Sequence, residues 1–121
     1  DSVASRGLGD VYKRQGQHSH AAAMAGRRML CQTLNAEFGP KGIHVAHILI
    51  DGMVDAPDTI GKMLGPVEFQ RLRETRGMEH DGLILPAKVA ETYFHISQQH
   101  RSSWTHEIDM RAFSDMPWWN H

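Results

Sequence analysis

Between residues 39 and 57 the chain reads GPKGIHVAHILIDGMVDAP, and its apolar positions fall on both faces of one extended segment. Over 43–50, Ile43, Val45 and Leu49 point one way and His44, Ala46, Ile48 and Ile50 the other, with His47 interrupting the first face. A strand that is apolar on both sides is the mark of a parallel strand sandwiched between helices. Ligands of such sheets gather at the carboxyl end of the strand, which directs attention to residues 51–57. Ahead of it, 19–38 is predicted to form one long helix. Gly26, Leu30, Leu34 and Phe38 follow an i, i+4 row widened by Met29 and Thr33, while Arg27, Arg28, Asn35 and Glu37 mark a wetter side. Ser19 is its predicted N-cap, and Gly39 and Pro40 its predicted stop.

Beyond the loop, 66–76 is predicted as a second, surface-lying helix, with Pro66 in its first turn, Val67, Phe69 and Leu72 as contacts and Gly77 as a stop. Residues 78–85 read as a connector. Pro86 opens a third helix in which Val89, Ala90, Tyr93, Phe94 and Ser97 recur at three- and four-residue spacing, enough to cover one face of a sheet. From 104 to 111 the pattern alternates: Trp104, His106, Ile108 and Met110 against Thr105, Glu107, Asp109 and Arg111. That is a strand buried on one face, expected at a sheet edge. Helix, strand, helices and strand in this order predict two parallel strands joined by a right-handed crossover. Residues 1–15 fit neither template and resemble a translated adapter tail, or else form a disordered terminus, so the ordered portion is expected to be 16–121.

Composition narrows the partners more than the fold. Forty per cent apolar and 22% charged residues over 121 positions describe an ordinary globular domain. A net charge of −1 offers no basic stripe for nucleic acid, and no apolar run reaches the ~18 residues of a membrane span. The single cysteine, Cys31, has no partner within the chain, so a reducing compartment, the cytoplasm, is expected.

The run NAEFGPKGIHVAHILIDGMVDAP closely resembles the sixth strand and preceding helix of the short-chain dehydrogenase/reductase family, and the later HEIDMRAF resembles that family's last strand. The resemblance covers about 16–113. It implies an α/β fold, the carboxy-terminal part of a Rossmann-like doubly wound parallel sheet, taken from an enzyme that moves hydride between NAD or NADP and a carbonyl or alcohol substrate. It also implies homo-oligomers, through the long helix and the last strand. The family's glycine-rich phosphate loop has no counterpart here, because no G-x-x-x-G-x-G follows a strand.

The family works with a Tyr and a Lys four residues later on the long helix, one turn apart so that the ammonium depresses the phenol's pKa. Counting back from Glu37 places His20 at the Tyr position and Met24 at the Lys position. Imidazole is a competent acid or base near neutral pH, and equally an ordinary exposed or capping residue near a helix start. Met24 brings no charge and is not expected to function as the Lys does. The alternative implied by that pair is a dehydrogenase-like fold kept for binding or assembly; a further alternative is a complete small α/β protein. In the loop, Asp51 and Gly52 stand at the family's Pro-Gly and Ala56 at a common Thr. Main-chain groups of Gly52 and Val54 are expected to face the cofactor, since glycine permits close approach.

Several other residues carry chemistry in principle. His18 and His20 lack a third ligand for a metal. Asp51 and Asp55 are read as a loop cap and a solvated carboxylate rather than an acid/base pair. His44 and His47 face opposite sides of the strand and are expected to be buried and hydrogen-bonded. Residues 58–69 resemble the family's substrate-covering segment, or else form a mobile surface insert, with Gly61 and Gly65 as candidate hinges. Trp104, Trp118 and Trp119, with Met110, Phe113 and Met116, suit a subunit contact or a packed tail.

Overall fold

The computed structural model of the chain describes residues 18–77 and 79–114, the side chains of His18 and His20 excepted. The proposed tail, 1–15, and Met116, Trp118 and Trp119 lie outside the described residues. Helix α1 is His18–Phe38 and strand β1 is His47–Ile50. A single π-helical turn, Pro57–Gly61, runs into the short α2, Lys62–Leu64. Helices α3, Pro66–Arg76, and α4, Pro86–Ser97, lead to strand β2, Glu107–Met110. The chain is thus mixed helix and strand, and β1 and β2 pair in parallel with His47 opposite Glu107 and Ile50 opposite Met110. Among the described residues no helix is long and apolar enough to cross a membrane.

Both long-helix boundaries differ from expectation. Ser19 lies inside α1 rather than capping it. At the other end the chain does not stop at Gly39: Pro40 sits early in a 3₁₀ turn, Gly39–Lys41, where its missing N–H costs nothing. The left-handed residue is Gly42, at φ 85°. Its N–H donates to Gly39 O at 2.9 Å and the N–H of Ile43 to Phe38 O at 3.2 Å, the two bonds of a Schellman cap.

The strand is shorter than 43–50 because its backbone ladder begins only where His47 N–H donates to His106 O, at 2.7 Å. Upstream, two imidazoles take over. His44 Nε2–H donates to Thr105 O at 2.7 Å, and His106 Nδ1–H donates to Val45 O at 3.0 Å. A carbonyl only accepts, so these bonds fix opposite tautomers in the two rings. His47 is buried and His44 half-buried, both hydrogen-bonded as expected. For the same reason β2 is four residues long rather than spanning 104–111. Its alternation holds: Glu107 and Asp109 are exposed, Ile108 and Met110 half-buried.

The expectation that β1 is covered on both faces is corrected. Ile43 is 50% exposed and Ile50 38% exposed, and among the described residues no strand pairs with the other edge of β1. The tightest core lies instead beneath the loop, where Met53, Ile60, Phe69 and Leu83 pack together with Leu72 against them. Residues 58–69 rest on that core through Ile60 and Phe69, while most of their other side chains are exposed. The connector also does more than connect. Leu83 and Ile84 are buried, and Ile84 makes a parallel bridge with Val54.

Candidate functional site

The loop at the carboxyl end of β1 is held on its main chain from three points. Asp51 N–H donates to Met110 O at 2.9 Å, which carries the ladder one residue past β1. Ile84 N–H donates to Met53 O, and Asp55 N–H to Ile84 O, both at 2.8 Å. Ala56 N–H then closes a tight turn on Val54 O at 2.8 Å. The N–H groups of Gly52 and Val54 have no hydrogen bond among the described residues.

Side chains brace the same loop at both ends. Arg111 lies between Asp109, which it grips with both Nε and Nη2, and Asp51, whose Oδ2 is 3.8 Å from its Nε. Arg73 Nε donates to Asp55 Oδ1 at 2.8 Å, and its guanidinium rests 4.3 Å above the Phe69 ring. The reading of Asp55 as solvated is thereby corrected: its side chain is 16% exposed and ion-paired. Burial of a carboxylate is tolerated where a cation meets it with a direct hydrogen bond. Neither Asp51 nor Asp55 stands apart from an arginine, and the two are held by different arginines from different elements.

Asp51, Gly52, Val54 and Ala56 thus sit together on one braced loop beside an open apolar groove of about 410 Å³ lined by Ile50, Val54, Pro86, Val89, Ala90 and Tyr93. His20 and Met24 lie on another element, the first turns of α1, where Met24 is half-buried. The side chain of His20, read as catalytic, lies outside the described residues. Among the described residues no group of three His, Cys, Asp or Glu is arranged to hold a metal ion.

What ties α1 to the sheet is a network that the sequence did not single out. Arg28 Nε and Nη2 donate to the two oxygens of Glu107 at 2.8 and 2.9 Å, and His47 Nδ1 donates to Glu107 Oε1 at 3.2 Å. The register that pairs His47 with Glu107 puts both on the face over which α1 passes. The Arg28 hydrogen bonds, and then that of His47, hold the Glu107 carboxyl below its ordinary value of 4.5. A depressed carboxyl stabilises the fold above that value and loses the contribution as pH falls through the lowered one. Unfolding midpoints measured from pH 7 to pH 3 are accordingly expected to fall below about pH 4.5, with Glu107→Gln flattening that acid limb. An unchanged limb in the variant would assign the acid sensitivity elsewhere.

Arg73, Arg111 and Ile84 are the loop-building residues that sequence reasoning missed. Arg111 alternates outward with Asp109 in a pattern that looked like solvent, and the partner of Arg73 lies 18 residues away. Compared with protein-family models, curated proteins and solved structures, the chain has no match.

Proposed function

We propose that this chain is the carboxy-terminal part of an NAD(P)-dependent short-chain oxidoreductase acting on a carbonyl or alcohol substrate. The observation that carries this reading is a parallel strand whose second edge has no partner among the described residues and whose carboxyl end continues into a braced loop with two N–H groups that are unbonded among them. An edge without a partner among the described residues, beside half-exposed Ile43 and Ile50, is what a layered sheet would show without its next strand.

The loop fits a nicotinamide on its main chain: the Gly52 and Val54 N–H groups are suited to an amide carbonyl, and Ala56 contributes no hydroxyl. The cofactor, when bound, supplies or takes the hydride. Arg111 and Arg73 brace the loop through Asp51 and Asp55, and His20 stands, by the family's spacing, where its proton donor is expected. The groups that would hold the pyrophosphate belong to sequence upstream of these residues. Assembly through α1 is part of the same reading, since Met29 and Leu30 are 59% and 57% exposed on its apolar stripe.

The test pairs two measurements. Calorimetry on the 121 residues alone is expected to find no micromolar binding of NADH or NADPH, while the longer chain that includes the upstream strands is expected to oxidise NAD(P)H with a carbonyl substrate. Micromolar binding by the 121 residues, or an inert longer chain, would overturn the proposal. Met24 favours a second reading, a dehydrogenase-like fold kept for binding or assembly. Hydride transfer that disappears in His20→Ala would count against that reading.

A further inference from the structure

At the opposite, amino end of the two strands a separate cleft of about 680 Å³ opens between the carboxyl end of α1 with its 3₁₀ turn and the segment 101–106. Its size is that of a small-molecule site, and it lies away from the loop proposed for nicotinamide. Arg101 is the one charged residue lining it, and no Asp or Glu does. None of the Arg101 N–H groups has a hydrogen-bond or ion-pair partner among the described residues. Nη2 lies 3.6 Å from the point where a side chain on Gly42 would begin, so the guanidinium reaches over the bare backbone of the facing wall.

An aromatic pair lines the wall of the same cleft. The rings of His44 and Trp104 stack at 4.7 Å between centroids and 2° between planes. Both are anchored at their edges, His44 on Thr105 O and Trp104 Nε1–H on Gln99 O at 3.2 Å, so the wall is preorganised. The hydroxyl of Ser102, bonded to His100 Nδ1 at 2.8 Å, adds a polar group beside Arg101. The negative end of α1 would oppose an anion here, but Phe38 O at its end and Gly39 O in the following 3₁₀ turn are already taken by Ile43 and Gly42 N–H.

We infer that this cleft binds a planar organic anion, an aromatic or heteroaromatic ring bearing a carboxylate or a phosphate. The Arg101 fork receives the anionic group and the His44–Trp104 stack receives the ring. The site is independent of the nicotinamide reading, because none of its residues belongs to the 51–56 loop.

The test is an NMR titration of the full chain with benzoate and with phenyl phosphate, followed at the Trp104 indole and His44 ring signals. Benzyl alcohol and inorganic phosphate serve as the neutral and ring-less controls. Saturable shifts with either anion support the site, and the tighter of the two names its head group. Each control is expected to bind about tenfold more weakly, as is the anion to Arg101→Gln, the loss of a charge-assisted bond being worth at least that factor. Because the Arg101 side chain is exposed and without a protein partner among the described residues, that variant is expected to keep the native spectrum. Equal binding of benzyl alcohol, equal binding of inorganic phosphate, or an unchanged affinity in Arg101→Gln would each overturn the inference.

Discussion

Replacing Phe69 with alanine is expected to cost about 3–5 kcal/mol, the range for deleting a buried aromatic ring. Phe69 is 8% exposed and sits at the centre of the cluster of Met53, Ile60 and Leu83. Its loss removes contacts from the π-helical turn, from α3 and from the loop at once, so no single neighbour is free to close the gap. The ring is also the platform on which the Arg73 guanidinium lies while it holds Asp55. Urea denaturation should therefore show the stability loss, and hydrogen exchange should show the Asp55 and Ile84 amides losing protection together. Phe69→Leu, which keeps most of the volume, should cost roughly 1.5 kcal/mol or less. A change below about 1 kcal/mol for the alanine variant would mean that the cluster collapses readily and does not hold the loop.

Gly77→Ala is the second large effect expected. A Cβ at Gly77 would stand 2.1 Å from Arg73 O, the same carbonyl that accepts the Gly77 N–H at 2.8 Å. At φ −74° the residue is outside the left-handed region, and the obstacle is the collision itself. The Cβ position is fixed by the backbone and Arg73 O is a main-chain atom, so no side-chain rotamer relieves the overlap. The end of α3 has to open, sacrificing the capping bond and displacing the connector that carries Leu83 and Ile84 under the loop. Overpacking and a lost hydrogen bond together suggest about 3 kcal/mol, or a melting temperature lower by on the order of 10 °C. A melting curve within a degree or two of the parent would contradict this geometry.

Much of the fold was legible because it rests on local rules. Pro66 and Pro86 open helices where a missing N–H is harmless, Gly77 ends one, and the alternation of β2 separates Glu107 and Asp109 from Ile108 and Met110. The parallel pairing also followed from element order. What escaped was set by contacts between distant residues. Gly39 looked like a left-handed cap until the 3₁₀ turn carried that role to Gly42. Residues 43–46 carry strand residues, yet two imidazoles replace the ladder there. The core assembled around Met53 and Leu83, which sit in stretches with no periodicity to announce them. Of the loop after β1, its place at the strand's carboxyl end was legible and its arginine braces were not, since an arginine in an exposed pattern gives no sign of which carboxylate it meets.

The reciprocal imidazole bonds ahead of the strands have one more consequence, for alignment. Two strands of four residues carry few backbone bonds, and a slip by one residue would turn every side chain to the opposite face. Such a slip would move Thr105 O away from His44 and Val45 O away from His106 together, and would break the facing of His47 and Glu107 to which Arg28 is tied. The short sheet is thus keyed by side chains that fit only one offset, and the carboxyl-end loop inherits its position from a lock at the other end of the strands.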